Sequence, residues 1–158
     1  MAKEDDDLEL LFRYRKRVTE DPLRLEILAA HALIEEMIEL VIAEAVPNSE
    51  CFEVPKMQFW KKLKIIRALD PSEKHALVWK FIVKLSELRN VAAHKDYEKF
   101  RDERFKDLAE FFYPDPAVRA VHGWDTLLEE GTEFCAGFLM GMRDRFRHLR
   151  QGSQEAAL

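Results

Sequence analysis

Three residues near the middle of the chain have types suited to anion binding and proton transfer. They are Arg89, Asn90 and His94, in the run Arg89-Asn90-Val91-Ala92-Ala93-His94. An arginine offers a planar fork of N–H donors that grips a phosphate or carboxylate through two bonds at once. A histidine changes charge near neutral pH and can act as general acid or base. Asparagine can orient either group. Along a continuous helix the step from Arg89 to His94 is ~500°, or ~140° around the axis, so the two side chains diverge. Either the helix ends or distorts near His94, or a second copy of the chain supplies the missing group.

The elements that must position these residues read as helices throughout. Helix starts are signalled by Asp21-Pro22, Asp70-Pro71 and Asp115-Pro116, each a capping carboxylate followed by a proline suited to the first helical position. Glu73, three residues after Asp70, adds a partial capping box. The periodicity predicts helices over residues 6–18, 22–46, 56–69, 71–94, 97–112 and 122–150, with breaks at 47–55 and 113–123. Almost nothing alternates with period two, so a sheet is not expected. Long helices with short turns predict an all-α antiparallel bundle of five or six helices.

Two of these helices should pack face to face. On the second, Ile27, Ile34, Ile38, Val41, Ile42 and Ala45 fall on one side, with His31 and Glu35 inside that stripe. On the fourth, Val78, Phe81, Ile82, Leu85, Leu88 and Ala92 form the stripe and Arg89 projects at its edge. Buried ions are costly unless paired. Glu35 is therefore the economical partner for Arg89, with His31 as a hydrogen-bonded core histidine. An Arg held in this way keeps other donors free. Trp79, Ser86, Asn90 and Ala93 lie between the directions of Arg89 and His94, as a contact surface for a second copy.

Composition narrows the classes. The chain has 158 residues, enough for one domain with a real core. The net charge is −5, which argues against a generic electrostatic nucleic-acid binder. Local basic stretches nevertheless occur at Arg13-Tyr14-Arg15-Lys16-Arg17, at Lys56, Lys61, Lys62, Lys64 and Arg67, and at Arg143, Arg145, Arg147, His148 and Arg150. No apolar run approaches the ~20 residues needed to span a bilayer, and the acidic start Met1 to Asp7 is unlike a secretory signal. Cys51 and Cys135 form no metal-ligand pattern and read as reduced thiols of a cytoplasmic protein. No Glu lies three residues before any histidine, so a di-iron bundle is not indicated, and no cofactor or metal is implied. Gly-rich phosphate loops and nucleophile elbows are missing as well.

The segment Leu85-Ser86-Glu87-Leu88-Arg89-Asn90-Val91-Ala92-Ala93-His94 resembles the signature of the HEPN superfamily, helical bundles marked by an Arg, a polar residue directly after it, and a His closing a short gap. The helix from Leu23 to Val46, with His31 and Glu35, is similar to that family's first long helix. The chain reads as a helical extension at 1–21, a single domain at 22–150 and a disordered tail at 151–158, and the resemblance, which covers residues 22–112, implies that the domain is HEPN-like. It further implies a metal-independent endoribonuclease of toxin or defence type, acting as a homodimer on RNA and leaving a 2′,3′-cyclic phosphate, with a neutralising or regulatory protein partner and no membrane. Arg89, Asn90 and His94 would be catalytic, Glu35 and His31 supporting. Some members carry a Tyr two residues after the His; here Tyr97 stands three after His94, a departure that puts partner-controlled modification in doubt.

Two other readings compete. An inactive HEPN-like interaction or regulatory module explains the acidic charge equally well and predicts His94 isolated or sealed in packing. A DNA-binding repressor predicts Lys61, Lys62 and Lys64 on one continuous basic face.

Overall fold

The computed structural model describes residues 21–155 except 71, 95 and 96. The expected helix at 6–18, the basic run Arg13 to Arg17 and the end of the chain from 156 onward lie outside the described residues. Within them there are six α-helices and no strand, an all-α bundle.

Helix α1 spans Pro22–Ala45. It starts as its sequence dictates: the Asp21 carboxylate accepts from Arg24 N at 3.1 Å, and Pro22 fills the first helical position. The anticipated stripe is buried, with Ile27, Ile34, Ile38, Val41 and Ile42 all at 0–1% exposure, while Ala45 at the helix end is half-buried. Two short 3₁₀ turns, Ser49–Phe52 and Val54–Lys56, carry the chain to α2, Phe59–Leu69.

Helix α3 spans Ala76–Ala93, starting later than the proline signal predicts. The reason lies in Asp70. Its carboxylate accepts the Trp79 indole N–H at 3.0 Å and meets His75 Nδ1 at 2.8 Å, so it ties down the turn instead of capping a helix. Ser72 caps a 3₁₀ turn, Glu73–His75, in its place. The apolar stripe of α3 is in the core, with Phe81, Ile82, Leu85, Leu88 and Ala92 at 0% exposure.

Helix α4, Tyr97–Phe112, occupies the expected residues. The break after it holds a short helix, α5 at Pro116–Val121, capped by Asp115 through Ala117 N at 2.8 Å. Its start signal, Asp115-Pro116, falls inside the segment 113–123 where the sequence predicts a break, so the break holds one short helix. Helix α6, Trp124–Glu155, continues past the expected end at residue 150.

Helices α1 and α6 share the most extensive interface, and α3 packs against α1, α4 and α6. Helix α6 meets α3 at Gly131, where any Cβ would lie 2.0 Å from the Phe81 ring. Only glycine permits that approach. Arg147 and Arg143 of α6 reach Glu44 of α1 at 3.0 and 3.8 Å, so part of the carboxyl-terminal basic cluster belongs to this helix contact.

Candidate functional site

The arginine–histidine segment sits where α3 stops. His94 is the first residue beyond the helix, with φ −102° and ψ 168°, and its N–H donates to Val91 O at 3.0 Å. The ~140° divergence of a continuous helix therefore does not govern its side chain. His94, Asn90 and Arg89 are all exposed.

The end of α3 is held by a residue that the sequence reading did not single out, Arg24 of α1. Its Nε donates to Ala92 O at 2.6 Å and its Nη2 to His94 O at 3.4 Å. A helix carboxyl terminus leaves carbonyls without partners and carries partial negative charge, and a guanidinium answers both needs. The same guanidinium lies 5.3 Å from the centre of the Tyr97 ring, with Arg101 at 5.8 Å. Tyr97 is buried, and burial, aided by the Asp21 charge, pushes its hydroxyl up to about 12. Tyr97 thus serves as a packing post for two arginines, of which Arg24 holds the His94 turn.

Glu35 does not pair with Arg89. Its carboxylate is taken by Lys62 of α2 at 2.6 Å, and the same ammonium reaches Glu39 at 2.5 Å. Lys62 is 1% exposed. Burial works against its charge, but the hydrogen bonds and charges of Glu35 and Glu39 prevail and raise its pKa. His31 is also buried, with Nδ1 3.9 Å from Glu35 and its ring 4.5 Å from that of Phe59. Burial lowers the His31 pKa; the Glu35 charge opposes this, and those of Arg89 and Lys62 reinforce it. A cation on α2 thus does the work expected of Arg89.

Arg89 consequently meets no carboxylate among the described residues. Its one hydrogen bond among the described residues is from Nη1 to the Asn90 side-chain oxygen at 3.4 Å, which lays the guanidinium across Asn90. The structure brings Arg89 and Asn90 together and places His94 one turn further at the helix end. Among the described residues no hydrogen bond joins Arg89 to His94 within one chain.

Two other expectations change. Trp79 and Ser86, read as part of a contact face for a second copy, are 5% and 3% exposed and covered within the chain; Asn90 and Ala93 of that face remain open. Lys61, Lys62 and Lys64 do not form one basic face, because Lys62 is buried in its carboxylate clasp. The repressor reading loses its main feature.

A second histidine is oriented by a carboxylate, His75 by Asp70, but its ring packs 4.6 Å from Phe138 and the pair anchors the α2–α3 turn. Beside this turn a groove of about 1040 Å³ opens between α2, α3 and Phe111 of α4. Cys51 is exposed and Cys135 buried, both as free thiols, and burial pushes the Cys135 thiol up to about 12. Among the described residues no cluster of His, Cys, Asp or Glu is gathered that could hold a metal ion, and no helix is long and apolar enough to cross a membrane.

Comparison with protein-family models, with curated proteins and with solved structures finds no match to this chain.

Proposed function

We propose that the chain is a metal-independent endoribonuclease of HEPN type, using Arg89, Asn90 and His94 in a homodimer. One observation carries this reading. Lys62 satisfies Glu35, so Arg89 stands exposed beside Asn90 with no carboxylate partner among the described residues, at a helix end that also presents His94 to solvent.

The roles follow from the chemistry of RNA. His94 removes the proton from a 2′-hydroxyl, and the 2′-oxygen attacks the adjacent phosphorus. Arg89 holds the phosphate and stabilises the charge that builds on its oxygens, with Asn90 fixing the guanidinium. The bond from phosphorus to the 5′-oxygen breaks, and that oxygen takes a proton from His94 of a second copy. The products are a 2′,3′-cyclic phosphate and a 5′-hydroxyl. A second copy is invoked because Arg89 and His94 are not joined within one chain.

The same separation favours the competing reading, a non-enzymatic interaction module. Incubation of purified protein with total RNA in EDTA separates the two. The expected outcome is cleavage by the parent protein and a loss of about 10²–10⁴ in rate for His94→Ala, with helical content unchanged because the side chain is exposed. An intact RNA pool, or equal cleavage by His94→Ala, selects the module.

A further inference from the structure

We infer that the groove between α2 and α3 is a binding track for single-stranded RNA that feeds the Arg89–His94 site, an inference that rests on the ribonuclease reading.

The groove combines the two features such a strand requires. Its rim carries Lys64, Arg67 and Lys80, all exposed and none of them ion-paired among the described residues. Its floor is apolar, built from Val83, the two alanines Ala68 and Ala76, and the Phe111 ring, over which Lys80 lies at 5.2 Å. Cations that track a backbone beside an aromatic and apolar floor form the usual platform for unpaired nucleotides. The concentration of free positive charge stands out in a chain of net charge −5.

The acidic neighbours are largely spoken for. Asp70 is engaged by His75 and Trp79. Glu87 and Asp107 are met by Lys84 at 3.4 and 3.8 Å and by Arg104 at 3.8 and 3.9 Å. Glu73 is the one carboxylate on the rim with no ion pair among the described residues.

Direction comes from the helix itself. The α3 residues lining the groove, Ala76, Trp79, Lys80, Val83 and Lys84, follow one face at helical spacing. The same face continues through Glu87 to Asn90, ~9 Å beyond Lys84 at the helical rise. Arg89 leans across Asn90 toward that face. A strand lying in the groove therefore leads its next phosphates to the guanidinium.

The test is fluorescence anisotropy of a labelled oligouridylate in EDTA, titrated with the His94→Ala protein so that the probe stays intact. Comparison is with the same protein carrying Lys64→Gln, Arg67→Gln and Lys80→Gln. Thermal melts confirm that both fold. The expected result is at least a tenfold loss of affinity, with the slope of log affinity against log salt falling by about 2, as three phosphate contacts on a single strand require. A control lacking Lys106, Arg145 and Arg150, exposed cations outside the groove, keeps the parent slope. Unchanged binding in the groove variant, equal loss in the control, no binding at low salt, or equal competition by polyglutamate overturns the inference. Groove-dependent binding without any cleavage by the parent protein sinks the nuclease reading and leaves the track standing.

Discussion

Lys62 and Arg89 are both cations that helical spacing places beside the core, and their fates are opposite. Lys62 is sealed at 1% exposure and neutralised by two carboxylates; Arg89 is exposed and meets none among the described residues. The difference shows how one buried ion pair can set the chemistry of a neighbouring surface. By occupying Glu35, Lys62 removes the partner that would have held Arg89 inward. The clasp is structural, and the end of α3 is left with an exposed guanidinium that meets no carboxylate among the described residues.

Substitutions at the two regions should therefore separate stability from chemistry. The largest effect on stability is expected for Lys62→Met. It leaves Glu35 and Glu39 as like charges one helical turn apart, each about a quarter exposed, and should cost about 2–3 kcal/mol, less than a fully buried pair would. Urea denaturation measures it, and a loss under 1 kcal/mol would mean the clasp holds little.

Next in size is Arg24→Gln. Removing a guanidinium from two terminal carbonyls of α3 and from the Tyr97 face should cost about 1–2 kcal/mol. It should also speed amide exchange from Val91 to His94 ahead of global unfolding. Uniform exchange along α3 would argue that Arg24 does not hold this turn in particular.

The smallest effect is the pH dependence of the clasp. The folded His31 titrates below its ordinary 6.5, so below that pH the unfolded chain binds more protons than the folded one. Stability should fall as pH drops from 6.5 through the lowered folded value, and His31→Leu should flatten that slope. Lys62 acts at the other extreme: its raised pKa contributes stability at all pH values below 10.5, lost only as pH rises through the folded value. A melting temperature that fails to fall between neutrality and that acid limb would contradict the buried, neutral state of His31.

Much of this architecture was readable from spacing. The stripes of α1 and α3 place their core residues by period alone, and Asp21-Pro22 marks a start that the backbone obeys. Asp70-Pro71 misled because a carboxylate can satisfy side chains as readily as helix N–H groups, and two donors, His75 and Trp79, come within its reach. Lys62 stands in the sequence as one of a basic stretch, with nothing in that stretch alone to mark it as buried. Its signal was present: Phe59, Lys62, Leu63 and Ile66 share one helix face, and Glu35 and Glu39 are a like-charge pair at i, i+4 that calls for a cation. What spacing could not supply is which cation, because that depends on how α2 lies on α1. The exposed triad was visible as residue types. Its freedom from Glu35, and the part of Arg24 at the end of α3, are tertiary facts.

The central claim is that Arg89 is a chemical group with no structural duty, and a paired measurement on Arg89→Ala tests it directly. Thermal unfolding and RNA cleavage in EDTA are followed on the same preparation. The account predicts stability within about 0.5 kcal/mol of the parent, as for an exposed surface site, together with a fall of about 10²–10³ in cleavage rate. A protein that loses several kcal/mol, or that cuts RNA as fast as the parent, would contradict it.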